Sequence, residues 1–544
     1  MHESIRVNPA QKRAIIHFKG PALVVAGPGS GKTFVITQRI RYLISHHGVS
    51  PEKIMVITFT RAAAEEMKQR ASALLLREAE KITFGTFHSI FFHMLKVSLP
   101  DGEKCVRTKE GKIDYDAIIV ECCRMLKENE EIRRYWQEQF HYLLIDEYQD
   151  VNSIQAETVK LLLNQERNLF VVGDDDQAIY GFRGADPSVM LRFPEEYQGT
   201  EKIILDTNYR SDAFIVEAAG RVIGENKMRF QKRITASKAA EQPVDITSFA
   251  EEGEEYQCLA DWCRKHPEEM EHAAVIVRTN REIRRISRIL LKEHIPFFTK
   301  ERVRGLYDGF PGKDIFAYLQ IASGREERGV FYQIMNKPAR CLIRDSIMEE
   351  SDVFSSMQSF YRKDKQMSDT VKEFEKEMDF LKNLRPYAAF RYILNGIGYL
   401  EYAKNYAKEH QIDWEEIEEE LSQIAMAAKQ YVSVKEWVED AENDTGGEKM
   451  PAEKCQKMDK GICLCTMHAS KGLEYDTVFL TDVNEGVIPY RKAKQLSRIE
   501  EERRMFYVAL TRAKKQLHIW YVKNLRGKEV YPSEFLEPLL KTMD

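Results

Sequence analysis

Four short apolar runs, each leading into a polar or glycine-rich stretch, set the rhythm of the first half of the chain. They are Ala22-Leu-Val-Val-Ala26, Ile54-Met-Val-Ile-Thr58, Tyr142-Leu-Leu-Ile145 and Leu169-Phe-Val-Val-Gly173. Each is apolar throughout, as a strand buried on both faces must be, and between them apolar residues recur at helical spacing, as at Ile36, Ile40, Leu43 and Ile44. Strands of this kind alternating with helices predict a parallel sheet covered on both sides, with ligands at the carboxyl ends of its strands. A second sheet is predicted to begin near Pro243, after the polar stretch 235–242. Its expected strands are Val244-Asp-Ile-Thr-Ser-Phe249, Ala273-Ala-Val-Ile-Val277 and Thr477-Val-Phe-Leu480.

Two segments interrupt the pattern. Residues 89–139 and 344–454 are charged and helical, without strand signals, and the second holds the acidic run Trp414-Glu-Glu-Ile-Glu-Glu-Glu, read as a solvated helix face. The parse is two α/β domains, each carrying a short helical insertion. Residues 1–88 and 140–240 form the first core and 89–139 its insertion; 243–343 and 455–544 form the second core and 344–454 its insertion.

Composition narrows the classes. A chain of 544 residues is too long for one domain, and 43% hydrophobic residues suffice for several cores. No apolar run approaches a membrane span, and Met1-His-Glu-Ser-Ile-Arg has no secretory character, so a cytoplasmic protein is expected. The nine cysteines include no Cys-x-x-Cys pair, which argues for reduced thiols rather than a zinc or iron–sulfur site. A net charge of −5 means that any nucleic-acid site must be a local groove.

The first run leads into Ala26-Gly27-Pro28-Gly29-Ser30-Gly31-Lys32-Thr33 and then a helix. This is the strand–loop–helix setting of a phosphate loop: backbone N–H groups turn onto phosphate oxygens at a helix N-terminus. Lys32 is expected on the β- and γ-phosphates, and Thr33 on Mg²⁺ through its hydroxyl. Ala26 stands where the strict pattern has its first glycine. Downstream, Asp146-Glu147 follows its strand directly. Asp146 is expected to reach Mg²⁺ through water, and Glu147 to orient and deprotonate the attacking water. The implied ligands are a nucleoside triphosphate and Mg²⁺, and the resemblance described below makes the nucleotide ATP.

Further segments recur in a telling order. After Asn8-Pro9-Ala10-Gln11 and the phosphate loop come Thr58-Phe59-Thr60, Gly85-Thr86-Phe87-His88 and Asp146-Glu147-Tyr-Gln-Asp150. Gly173-Asp-Asp-Asp-Gln177-Ala-Ile-Tyr180-Gly-Phe182-Arg183-Gly-Ala and Asn208-Tyr209-Arg210-Ser211 follow. Last are His468-Ala-Ser-Lys471-Gly472-Leu-Glu474-Tyr and Glu502-Arg-Arg504-Met-Phe-Tyr507-Val-Ala-Leu-Thr511-Arg512-Ala. In these motifs the chain resembles the superfamily 1 DNA helicases of the UvrD/Rep/PcrA group over most of its length.

The resemblance implies two RecA-like cores of the P-loop NTPase type and a set of roles. Gln11 would read the adenine edge, Tyr209 would stack on the ring, Glu474 would contact the ribose and Gln177 would sense the γ-phosphate. Arg210 and Arg512 would act as arginine fingers. A single-stranded DNA track is implied across both cores, through Phe59, Tyr180, Phe182 and Arg183 on the first and Arg278, Asn280 and His468 on the second, with Thr86 and His88 holding phosphates. Aromatic side chains suit this task because stacking accepts any base.

Departures from the family pattern are Phe182 in place of the usual Trp, Arg61-Ala62 after Thr60, shorter insertions, and an end soon after Pro532-Ser-Glu-Phe-Leu536. The expected activity is ATP-dependent 3′→5′ translocation on single-stranded DNA with strand separation, acting at single-strand/duplex junctions. A protein partner that stimulates unwinding is an expected associate. A DNA-stimulated ATPase that strips proteins from single strands, or serves as a motor subunit, is the first alternative, and an NTP-dependent DNA-binding switch the second. The biological pathway is not written in these motifs.

Overall fold

The computed structural model describes residues 7–99, 102, 104–108, 113–181, 184–300, 305–325, 327–348, 352–410, 412, 414–446, 460–491, 493–525 and 527–541. The chain divides into two compact units, Met1–Lys300 with Gly461–Asp544, and Glu301–Lys460.

The first unit holds two sheets. In the first, β1 (Ala22–Ala26), β2 (Ile54–Thr58), β3 (Thr83–Thr86), β4 (Tyr142–Ile145), β5 (Leu169–Gly173) and β6 (Glu201–Leu205) lie in the order β3-β2-β4-β5-β1-β6, all parallel. Alternate side chains go to opposite faces. Val24, Val56, Leu144 and Val172 meet the helices Lys32–His47 and Arg61–Leu75. Leu23, Ile57, Leu143 and Val171 meet the helices Phe87–Ser98, Tyr115–Glu128 and Ser153–Leu162. Residues 89–139, expected as an insertion, thus bury Phe91, Ile118 and Leu126 in the core of the first sheet itself.

A short parallel pair, β7 (Thr207–Asn208) with β8 (Thr235–Ala236), precedes the second sheet. That sheet comprises β9 (Asp245–Glu251), β10 (Ala273–Val277), β11 (Phe297–Thr299), β12 (Ile462–Thr466), β13 (Tyr475–Leu480), β14 (Ala513–Leu525) and β15 (Lys528–Glu529). Its order is β11-β12-β10-β13-β14, and β14 also pairs with β9 in parallel and with β15 antiparallel. The predicted strands are present. β3, β6, β11, β12 and β14 are found in addition, with the two-residue strands β7, β8 and β15; β3, β6 and β11 are short or half-buried and lack a continuous apolar run. The helix Ala213–Gly224, expected within the first core, buries Ile215, Ala219 and Val222 against the second sheet with the helix Leu496–Leu510.

The second unit is helical. Its core runs from Tyr307 to Ala441 and takes in the helices Gly312–Ala322 and Arg328–Ile334, ahead of the position near 344 where a helical segment is expected. The reason is packing: Ile315, Tyr318, Leu319 and Phe331 share one core with Phe374, Ile393 and Trp437. Buried Asp314 is satisfied by Tyr399 Oη and Lys337 Nζ, both at 2.8 Å, and by Gln333. Among the described residues no helix is long and apolar enough to cross a membrane.

Candidate functional site

The phosphate loop leaves β1 at Ala26, which is fully buried and in register with Leu205 of β6. Alanine is acceptable where the pattern has glycine because the position still belongs to the strand. The turn then needs glycine. Gly29 has φ +64°, and a Cβ there would lie 2.6 Å from Cβ of Arg210; Gly31, at φ +83°, opens the helix. The orphan N–H groups of the first helical turn and their partial positive charge face the loop. Gln11 Nε2 donates to the Ser30 carbonyl at 3.0 Å, and Asn8 Nδ2 donates to Tyr209 Oη at 2.9 Å, so Gln11 and Tyr209 are gathered beside the loop. Thr33 occupies the second helical position, next to Lys32.

Lys32 Nζ lies 3.1 Å from Glu147. Burial by itself would depress the Lys32 ammonium, but Glu147, Asp174 and Asp146 outweigh it and the pKa is raised. Burial acts against the Glu147 carboxylate too, yet Lys32 and Lys471 hold it down to about 2. Asp146, at the end of β4, is pushed up to about 7 by burial and by its neighbour Glu147. Glu147 has φ +52°, a left-handed conformation unusual for a residue with a side chain, and its carboxylate accepts from Gln149.

Side chains of the second sheet reach this group. Lys471, after β12, donates to Asp150 Oδ2 at 2.5 Å and to the Gln177 carbonyl at 2.9 Å. Arg512 is fully buried: it donates to the carbonyls of Val508 and Leu473, and its Nη2 lies 3.4 Å from Gln177 Oε1. Burial first, then Arg210, brings the Arg512 pKa down to about 9. Arg210 Nε pairs with Glu474 at 2.7 Å, and Glu474 also pairs with Lys514. Lys32, Asp146, Glu147, Gln177 and Arg512 therefore form one linked group, with Arg210 and Glu474 at its border.

The expected DNA-facing residues follow the carboxyl ends of strands in both sheets. Phe59 follows β2, His88 follows β3, Arg278 and Asn280 follow β10, and His468 follows β12. Phe59 and Tyr180 stack with centroids 5.3 Å apart and an interplanar angle of 10°, and Lys471 Nζ lies 4.8 Å from the Tyr180 centroid. Asn280 is exposed at the start of its helix. Other expected contacts have partners within the protein. Thr86 caps the helix Phe87–Ser98, its hydroxyl accepting from the Ser89 N–H, and His88 packs edge-on against Tyr115. Arg278 makes a two-pronged pair with Glu502 at 2.9 and 2.6 Å, so a phosphate would have to compete with that carboxylate. Phe182 and Arg183 lie outside the described residues.

Three cations that sequence reasoning passes over belong here: Lys232, Arg229 and the bridging role of Lys471. Lys471 lies inside a motif and is recognisable in outline. Lys232 and Arg229 sit in an irregular stretch where nothing local singles them out.

A phosphate loop on a parallel sheet, an acidic pair two strands away across β5 and basic side chains brought in from a second parallel sheet define a P-loop NTPase of two cores. Family models agree: residues 7–108 and 103–198 match the UvrD/REP helicase N-terminal domain, and residues 203–524 match the UvrD-like helicase C-terminal domain. The chain belongs to the UvrD-like helicase family. It is 29% identical to YjcD of Bacillus subtilis over 627 aligned positions, covering 99% of this chain and 82% of the relative. It is 26% identical to the ATP-dependent DNA helicase Rep of Salmonella typhimurium, covering 98% and 94%. With the ATP-dependent DNA helicase PcrA of Staphylococcus epidermidis the identity is 27%, covering 98% and 86%.

Proposed function

We propose that this chain is an ATP-dependent DNA helicase that moves 3′→5′ along single-stranded DNA. The observation that carries the reading is the convergence of side chains from both sheets on Gln177 and Glu147. A γ-phosphate placed there would touch groups from both cores at once, so its arrival and loss would change how the cores hold each other.

In this reading Gln11 and Tyr209 take the adenine, residues 26–33 cradle the phosphates and Glu474 meets the ribose. Lys32 moves from Glu147 to the β- and γ-phosphates, freeing that carboxylate to orient water and accept its proton. Arg210 and Arg512 stabilise charge on the transferring group. The residues suit magnesium: the donors at Thr33 and Asp146 are oxygens, and Asp146, pushed up to about 7, is a buried carboxylate short of a compensating cation. When bound there, magnesium would supply charge neutralisation at the phosphates.

Single-stranded DNA would lie across the strand ends, with bases on the Phe59–Tyr180 stack and backbone near Asn280, His468 and, after exchange of its carboxylate partner, Arg278. Junctions and a stimulating protein partner belong to the same proposal. The test is ATP turnover with and without single strands, followed by displacement assays on duplexes tailed at either end. Tyr180→Ala should weaken single-strand affinity by about 1–3 kcal/mol, similarly on mixed sequences. Turnover indifferent to DNA, or preference for 5′ tails, would overturn the corresponding half of the reading.

A further inference from the structure

Asp174, Asp175 and Asp176 bring carboxylate oxygens within 4.8 Å of one another. The grouping resembles a cation site, and a cation of the chain already fills it. Lys232 Nζ lies 2.8 Å from Asp174 and 3.0 Å from Asp176, and also contacts Asp175. Its side chain is fully buried, and so, to within 1%, are the three carboxylates. Charges buried this deeply persist only when paired. Arg229 completes the set with a two-pronged pair to Asp176, both bonds 2.7 Å, and the Phe230 N–H donates to Asp175 at 2.7 Å.

Asp174 divides its carboxylate between two partners. Oδ1 accepts from Lys232, and Oδ2 accepts from Gln177 Nε2 at 2.6 Å. An amide whose NH₂ is fixed must aim its oxygen the other way, and that oxygen faces Arg512. The irregular segment 225–234 that carries Lys232 is also fastened on its far side, to the helix Leu496–Leu510. Asn226 Nδ2 donates to the Glu500 carbonyl at 2.9 Å, Arg503 donates to Asn226 Oδ1 at 2.8 Å, and Arg504 donates to the Met228 carbonyl at 2.6 Å. Arg512 follows that helix by two residues.

We propose that Lys232 is a positioning residue for Gln177, and that the strap 225–234 ties the aim of Gln177 to the helix that delivers Arg512. The proposal rests on the reading of Gln177 as a γ-phosphate contact. The Lys232 side chain is fully buried against its three carboxylates, away from solvent. It holds Asp174, Asp174 holds the amide, and the other end of the strap moves with the second core.

The test uses the full chain with Asp175→Asn, the pair Lys232→Met with Asp175→Asn, and Gln177→Ala. The pair removes one cation and one carboxylate together, so the net buried charge is kept, and an amide at 175 still accepts from Phe230. Asp175→Asn alone should leave kcat within about twofold, whereas the pair should lower DNA-stimulated kcat about tenfold or more with KM for ATP little changed. Adding the pair to Gln177→Ala should cost nothing further, since both changes act through one amide. A fluorescent ATP analogue and a thermal melt report that binding and fold survive. Should the pair not fold, Arg503→Gln releases the strap at its outer attachment. It should lower kcat about threefold, and not at all in the Gln177→Ala background. A folded pair with near-normal kcat, losses that multiply with Gln177→Ala, or unchanged kcat in Arg503→Gln would each overturn the positioning role alone. Normal turnover in Gln177→Ala would overturn the assignment of Gln177 and the positioning role with it.

Discussion

Glu147 concentrates the local oddities of this chain in one residue. It sits at φ +52°, adjoins a second buried carboxylate and is ion-paired with the lysine of the phosphate loop. A left-handed non-glycine residue costs roughly 1–2 kcal/mol, so surrounding bonds must hold it there. Gln149 does so on one side and Lys32 on the other. Glu147→Gln should therefore still bind ATP but lose the proton acceptor, lowering turnover by roughly 10²–10⁴-fold. Lys32→Ala should lose binding as well as turnover. Single-turnover hydrolysis beside a fluorescent-nucleotide titration separates the two, and near-normal hydrolysis in Glu147→Gln would end its assignment as the base. Both are legible in the sequence, Glu147 because it follows a strand by two positions and Lys32 because it closes the glycine turn that leaves one. Lys232 is not legible, because its partners are about 60 residues away and a lone lysine in an irregular stretch reads as solvated. Arg278 shows the converse: its motif position points to DNA, while Glu502, more than 200 residues later, is its partner in the fold.

At the scale of elements, the long strand β14 is the seam of the second core, since β9, β13 and β15 all pair with it. Its pattern is only partly apolar, with Lys514, Lys515, Lys523 and Asn524 along it, which is why hydropathy alone passes over a strand that packing requires. Asp245 of β9 lies opposite His518 and accepts from His518 Nδ1 at 2.9 Å and from Trp520 Nε1 at 3.2 Å. The His518 bond first, with Thr247 and Trp520 adding, holds the Asp245 carboxyl at about 2. An unfolded aspartate titrates near 3.9, so the folded value is the depressed one. The clasp is therefore fully present above about pH 4 and is lost as pH falls toward 2. Asp245 is 43% exposed, and solvent screening limits the effect to roughly 0.5–1 kcal/mol. Asp245→Asn should lower the denaturant midpoint at neutral pH by a corresponding amount. The gap from wild type should narrow as pH falls below 4. A gap that stays constant down to pH 2.5 would show that the charge is not what Asp245 contributes.

For the whole molecule, the question is whether a motor this short opens duplexes unaided. The alignments with YjcD and PcrA run over 627 and 634 positions against a chain of 544, so those relatives carry stretches that this chain lacks. The first sheet keeps its helices at 87–139 as part of its own core, with their apolar faces inward, which leaves little of that segment to act as a separate duplex-holding body. In the proposed reading, walking along a single strand uses the two cores and their strand-end contacts. Opening a base-pair step costs about 1.4 kcal/mol on average, and a surface that holds the junction helps to offset that cost at each step. The expected outcome is robust single-strand translocation with weak unwinding by the purified chain, rising when a junction-binding protein is added. Streptavidin displacement from a biotinylated 5′ end measures the first, and release of a labelled strand from a long 3′-tailed duplex measures the second. Efficient release by the chain alone, at concentrations where it is monomeric, would show that its short segments suffice to hold the junction.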